Sequence, residues 1–341
     1  MIDINKIAVV SSKQTLEAAF PDEPIKPPTF PDSDGVGKYI IYNNGDVKDV
    51  VLDTTQSQAN RVEPIFDSSG LIPDSTVRVG EKTIPLTAAG HRVADACVRF
   101  SDKAELVHDA LRSYEDGNAV PLAKLAPTAL LFGAWDSRIT SGATGVKITR
   151  IFHGEIRGHN VIEVPAAGQF VSSVPRIEGQ KSGDLSMEGL LDCPFSGLGG
   201  VIVKGDIVRS TGINLRGIRA LRGKDAAETE KLQNYILGIA LYALTYPVPQ
   251  NLREGCNLVA TKTVTETFSE GGTRSAVELT HAAAAKFAHQ AAGAFRIGEA
   301  VQFIYDEGKA LAVATGRTEA KAETAAVKKS GKPKAQTAVV A

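Results

Sequence analysis

The stretch IIYNNGDVKDVVLD, from Ile40 to Asp53, limits the fold more than any other. Two runs of β-forming residues flank Asn44-Gly45, a pair that supplies the positive backbone φ a tight hairpin needs. STVRVGEKTIPL, Ser75–Leu86, has the same form. Val146–Val161 reads as one long or two shorter strands, and Val201–Leu215 as strand broken by Gly205 and Gly212. Hairpins outnumber strand–helix–strand units, so the expected class is α+β with an antiparallel sheet.

Helices fill the spaces between. TTQSQANRVEP offers Thr54 or Thr55 as N-cap of a short helix that Pro64 ends or kinks. AGHRVADACVRF and DKAELVHDALRSY carry apolar residues at helical spacing, and Leu122–Trp135 suits helix or buried strand. Asp225 with Glu228 forms a capping-box pattern ahead of the stripe Leu232, Ile236, Ile239, Ala243, and Pro247 stops that helix. Ser275 with Glu278 repeats the pattern before an Ala-rich helix. PDEPIKPPTFPDSDG, Pro21–Gly35, is too rich in Pro and Asp for regular structure. From residue 316 the tail is Ala, Lys, Thr and Gly, which cannot bury enough surface to offset its ordering entropy, and disorder is expected. Residues 1–315 read as one domain without internal repeats.

Apolar residues make up 43% of the 341 and aromatics 6%, enough for a large aliphatic core. No apolar run reaches the ~18 residues of a membrane span, and the first residues lack a signal pattern. Cys97, Cys193 and Cys256 form neither a zinc pattern nor a disulfide framework, so a reducing cytoplasm is expected. The net charge of -1 is unevenly spread. Residues 1–137 hold 13 Lys+Arg against 20 Asp+Glu, 138–224 hold 12 against 7, and 225–341 hold 13 against 12. A basic middle offers an anion-binding surface without a basic pI.

Familiar chemical motifs fail. DGVGKY lacks the first glycine and the hydroxyl of a phosphate loop, GLGGVI lacks the last glycine of a dinucleotide fingerprint, and neither a zinc-protease helix nor a nucleophile elbow occurs. His153 and His159 are the best general-base candidates, and neither has a visible nucleophile or metal partner. No cofactor or metal is expected.

Two stretches suit a polyanion instead. On a helix, Gln56, Ser57, Asn60 and Arg61 fall within an arc of ~140°, a face of amides, hydroxyl and guanidinium. A solvated polar face is the competing reading. If 147–159 runs as a strand, Lys147, Thr149, His153, Glu155, Arg157 and His159 share one face, with Arg150 an exception on the other. Gly142 and Gly145 let the preceding loop approach a ligand. Trp135, the only tryptophan, is either a core edge or a platform for a base; the core edge is preferred, with Arg138 as the contact in the loop after it.

The ordered series LDTTQSQANR, HRVADA, PTALLFGAWDSR, GVKITRIFHGEIRGHNV, GGVIVKGDIVRSTGINLRGIRALRG and LREGCNLV resembles the backbone subunit of type I-U (I-G) CRISPR effector complexes, in the Cas-seven-like branch of the RAMP superfamily. The resemblance spans about residues 38–310. It implies an RRM-like, ferredoxin-like palm with inserted fingers and thumb. It also implies a non-catalytic subunit that polymerises as a filament along CRISPR RNA, about one six-nucleotide segment per copy. Implied partners are the guide, target DNA paired to it, further copies, and the RNA-processing and large subunits of the complex, with no membrane. Gln56, Ser57, Asn60, Arg61, Arg138, Lys147, Arg150 and Arg157 are the expected RNA contacts. The thumb falls within Pro165–Ser196, with Phe170, Val171 and Met187 as candidate wedges. The long Pro-rich head and the Lys/Ala tail depart from better-known subtypes. An acidic head meeting Arg216 or Arg219 of the next copy is a further expectation. The rivals are a ribonuclease built on Asp136 and a general single-strand binder.

Overall fold

A computed structural model describes residues 2–31, 37–136, 145–171, 173–174, 181–191, 193–253 and 255–316. The chain opens with the long strand β1 (Ile7–Ala18), whose even-numbered residues Ala8, Val10, Ser12 and Leu16 are buried. Short β2 (Thr29–Pro31) and β3 (Gly37–Tyr39) pair within the Pro-rich head. The first expected hairpin forms from β4 (Ile41–Asn44) and β5 (Val47–Asp53), with Asn44 opposite Val47 and Gly45 at φ 66°. Next comes α1 (Thr55–Val62), capped as expected: Thr54 Oγ1 accepts from the Ser57 N–H.

The second hairpin is β6 (Thr76–Val79) with β7 (Lys82–Pro85). Arg92–Ala94 is only a 3-10 turn leading to the one-turn α2 (Ala96–Arg99), because Asp95 caps at Cys97 N and interrupts the helical spacing. Then follow α3 (Ala104–Glu115), α4 (Val120–Leu125) and α5 (Pro127–Phe132). The ambiguous Leu122–Trp135 stretch is thus two short helices, which Pro127 separates, running into strand β8 (Ala134–Asp136).

Strand β9 (Val146–Ile148) pairs only with β8, whereas β10 (Phe152–Gly158) joins the main sheet. The long-strand alternative for 147–159 is therefore corrected to two strands in different sheets. Strands β11 (Val161–Phe170) and β12 (Cys193–Val203) form a separate ribbon with α6 (Ser182–Met187) between them. Strand β13 (Ile207–Asn214) keeps Gly212 inside it, because the His153 ring occupies the space where a Cβ would stand. Beyond are α7 (Leu215–Ala220), α8 (Ala226–Thr245), β14 (Gln250–Arg253), β15 (Cys256–Ser269), β16 (Arg274–Ala276), α9 (His281–Phe295) and β17 (Gln302–Ile304). Asp225 caps α8 by accepting from the Glu228 N–H, and Glu228 Oε2 reaches back to accept from the Lys224 N–H, one residue before the cap. The Ser275 cap does not form: Ser275 lies in β16, and Thr280 caps α9. The expected tail lies outside the described residues from 317 onward. No helix among the described residues is long and apolar enough to cross a membrane.

The main sheet is antiparallel and runs in the order β14, β15, β1, β13, β10, β5, β4, with β16 beside β15. Within it β1 and β10 run the same way, with β13 inserted antiparallel between them, and β15 lies on the far side of β1.

One face of this sheet is covered twice. Val10, Phe152 and Ile213 join a core built with α3, α4, α5, α8 and α9. Leu16, Ile156 and Ile207, further along the same strands, join a second core with Val161 and Val201 of the ribbon. Full burial of a Leu or Phe side chain contributes about 1.5–3 kcal/mol, so these two patches carry the fold. Helix α1 lies over the same face between them. Gly154 permits this: a Cβ there would stand 3.1 Å from Thr211 Cγ2 and 3.5 Å from Gln58 Cβ.

Candidate nucleic-acid interface

Helix α1 has two working edges. Its buried edge carries Gln58 into a polar junction. Gln58 Nε2 donates to Asp53 Oδ2 at 2.6 Å and to Gln250 Oε1 at 3.2 Å, and Gln58 Oε1 accepts from Arg209 Nε at 2.7 Å. Burial pushes the Arg209 guanidinium down to about 10, against the pull of Asp53. Arg61 belongs to this junction. Its Nε donates to Asp53 Oδ2 at 3.1 Å, and its two terminal nitrogens donate to the carbonyls of Asn251 and Leu252. The expectation that Arg61 is offered to a ligand is corrected: a carboxylate 1% exposed demands a counter-charge, and Arg61 supplies it while tying α1 to β14.

The other edge carries Gln56 into a cleft of about 420 Å3, lined also by Gly90, His91, Arg92, Phe132, Gly133, Ala134, Trp135, Lys147, Ile148, Thr149 and Arg150. None of the described residues that line it is acidic. Its floor is built by two guanidiniums. Arg92, 4% exposed, donates from Nη1 to Gly133 O at 3.1 Å, pairs through Nη2 with Glu63 at 2.8 Å, and lies 5.3 Å from the Phe132 ring centre. Its Nε is buried without a hydrogen-bond partner. Arg150 donates from Nε to Phe132 O and from Nη2 to Gln56 Oε1, each at 2.9 Å. Burial and then the nearby Arg92 charge lower the Arg150 pKa. The carbonyls of two successive residues are thus held just before Gly133, at φ 80°, turns the chain into β8.

The β8–β9 ribbon forms one wall. Trp135 stands directly opposite Lys147, while Asp136, Val146 and Ile148 are buried. Trp135 is 67% exposed, which corrects the core-edge expectation. Among the described residues the two strands pair only with each other, and they bury one face, so alternation turns the indole and the ammonium outward. Asp136, the residue of the ribonuclease rival, is buried on the other face and does not line the cleft. Arg138 lies outside the described residues.

The remaining candidates divide. Asn60 is exposed and Ser57 half-buried on α1. Arg157 projects with His153 and Glu155 from the sheet face away from α1, bonds Glu155 at 2.7 Å and lies over the Tyr42 ring, so it does not join the cleft. His159 Nδ1 meets the buried Asp49 carboxylate at 2.9 Å. Val171 is 64% exposed beside the β11–β12 ribbon, while the side chains of Phe170 and Met187 lie outside what is described. Arg216 and Arg219 both pair with Glu270 of their own chain, and the Arg216 side chain remains 63% exposed. Among the described residues no group of His, Cys, Asp and Glu could hold a metal.

Sequence reasoning gave no site role to His91, Arg92 and Gly133, although HRVADA and PTALLFGAWDSR, which contain them, are among the segments that carry the resemblance. A left-handed arginine at φ 53° becomes visible only with coordinates.

No curated protein matches the chain in sequence. A solved structure, the crystal structure of Thermofilum pendens Csc2, is similar over 84% of this chain and 71% of that one, at 12% identity and a TM-score of 0.25, too loose a likeness to transfer any position. Residues 11–163 match the family model CRISPR-associated protein GSU0053 (Cas_GSU0053). The part of the chain that builds the cleft is therefore the part that is similar to a CRISPR-associated family.

Proposed function

We propose that this protein is a non-catalytic, Cas-seven-like backbone subunit of a CRISPR effector complex of type I-U. It polymerises along CRISPR RNA and holds the sugar-phosphate chain while the guide bases pair with target DNA. The observation that carries this reading is the cleft: an open wall with Lys147, a floor with Arg150 and Gln56, and no carboxylate among the described lining residues. Such a site attracts phosphates without reading sequence, which suits a protein that leaves recognition to base pairing. The family match over residues 11–163 supports the CRISPR assignment. The strand order β15, β1, β13, β10 is that of a split strand–helix–strand unit and supports an RRM-like palm. The β11–β12 ribbon, with Val171 near its outer end, is the natural thumb.

The test is coexpression with the neighbouring subunits. Purified complex should carry RNA with a constant repeat-derived flank, and Lys147→Glu combined with Arg150→Glu should strip most of it. Complex that assembles with the usual RNA content in the double variant would refute the cleft as the grip. RNA of random sequence would favour the general single-strand binder.

A further inference from the structure

We infer that Trp135 is a stacking platform for one unpaired nucleobase of a single strand whose phosphate lies on Lys147 and Arg150. This rests on the proposed nucleic-acid role of the cleft and deepens it. Three observations carry it. Among the described residues the indole is the most exposed large apolar side chain, and it lines the cleft. A two-thirds exposed indole contributes nothing to the core, whereas its flat face suits any base. The cross-strand partner of Trp135 is Lys147, so base platform and phosphate charge sit side by side on one ribbon face.

The third observation is how firmly the platform is mounted. Arg150 holds Phe132 O and Arg92 holds Gly133 O, the two carbonyls at the root of β8. Arg92 is itself anchored by buried Glu63, with the pair 4% and 1% exposed. A Cβ on Gly133 would approach Ile148 O to 3.1 Å, so the ribbon root is closely packed as well. A platform whose backbone is held in place loses less freedom on binding than one carried on a loose loop. Stacking therefore adds affinity beyond the charge term.

Because the chain holds one tryptophan, its fluorescence reports this site alone. Full-length protein is titrated with a fluorescein-labelled single-stranded RNA twelve-mer and, in parallel, with unlabelled RNA while Trp135 emission is followed. The RNA should quench the emission, and Trp135→Ala should weaken binding about five- to a hundred-fold, whereas Trp135→Phe should recover part of the loss. A twelve-mer of abasic ribose-phosphate should bind wild type about as weakly as Trp135→Ala binds normal RNA, with no further loss when the two are combined. Unchanged affinity in Trp135→Ala, with Lys147→Glu still weakening binding, would overturn the platform and leave the proposed function intact. Absence of RNA binding by wild type and variants alike would overturn both.

Discussion

The two edges of α1 use the same chemistry for opposite ends. On the inner edge, Gln58 and Arg61 converge on Asp53, and Arg209 is held behind them by Gln58 Oε1. On the outer edge, Gln56 and Arg150 bond each other at the cleft floor, where an anion could take their place. Arginine and glutamine occur on both. What separates individual guanidiniums is pairing with a buried carboxylate: Arg61 is taken by Asp53 and Arg92 by Glu63, whereas Arg150 bonds a carbonyl and an amide and keeps its charge available. A basic residue counted in a sequence is therefore not yet a ligand contact.

Substitutions at the two edges should separate stability from binding. The largest effect is expected for Asp53→Ala, which removes the acceptor that Gln58 Nε2 and Arg61 Nε share and leaves buried Arg209 without its nearby counter-charge; breaking a buried pair from one side costs about 3–5 kcal/mol. Urea unfolding should show this loss, while RNA affinity of the remaining folded protein stays close to wild type. A binding defect as large as the stability defect would erase the distinction between the edges. Lys147→Ala should do the reverse. Stability should stay within about 0.5 kcal/mol, and the slope of log affinity against log salt should become shallower by about 0.7 for one lost phosphate contact. An unchanged slope would remove Lys147 from the site.

Gly133→Ala sharpens the comparison at the ribbon root. Gly133 sits at φ 80° and ψ 154°, a region essentially reserved for glycine that costs a residue with a Cβ about 1–3 kcal/mol, and the added carbon crowds Ile148 O at 3.1 Å. The apo protein should lose that stability and show altered Trp135 anisotropy; identical anisotropy would mean the root does not set the platform. Thr54→Ala should cost about 1 kcal/mol by removing the N-cap of α1. The smallest effect concerns acid. Burial works to raise the Asp49 pKa, but hydrogen bonds from His159, the Asn160 N–H and Asn44 outweigh it and hold the carboxyl below its usual value. That stability is fully present at neutral pH and is lost as pH falls through the depressed folded value. Asp49→Asn should flatten this part of an acid-unfolding curve, and a curve as steep as wild type would assign the acid sensitivity elsewhere.

Local chemistry was legible wherever one residue satisfies its near neighbours. The Gly45 hairpin, the Thr54 cap, the Asp225 cap and the Pro247 stop could all be read because their partners lie within a few positions. The Ser275 cap failed because Thr280 offers the same hydroxyl chemistry closer to the Ala-rich run. The long basic strand failed because turn positions 149–151 between β9 and β10 carry no glycine or proline to mark them.

The sequence by itself determined the class of the molecule, the capped and hairpinned elements, and which segments hold residues suited to a polyanion. Tertiary structure alone decided which of those residues are free. Arg61 was claimed by a carboxylate and two distant β14 carbonyls, Arg150 was aimed by a carbonyl of α5, and Trp135 was turned outward because a two-stranded ribbon has only one face to bury. The physical reason is that a charge or a ring is committed by whatever lies within a few ångströms of it. For these three, that neighbour is set by packing between elements far apart in the chain.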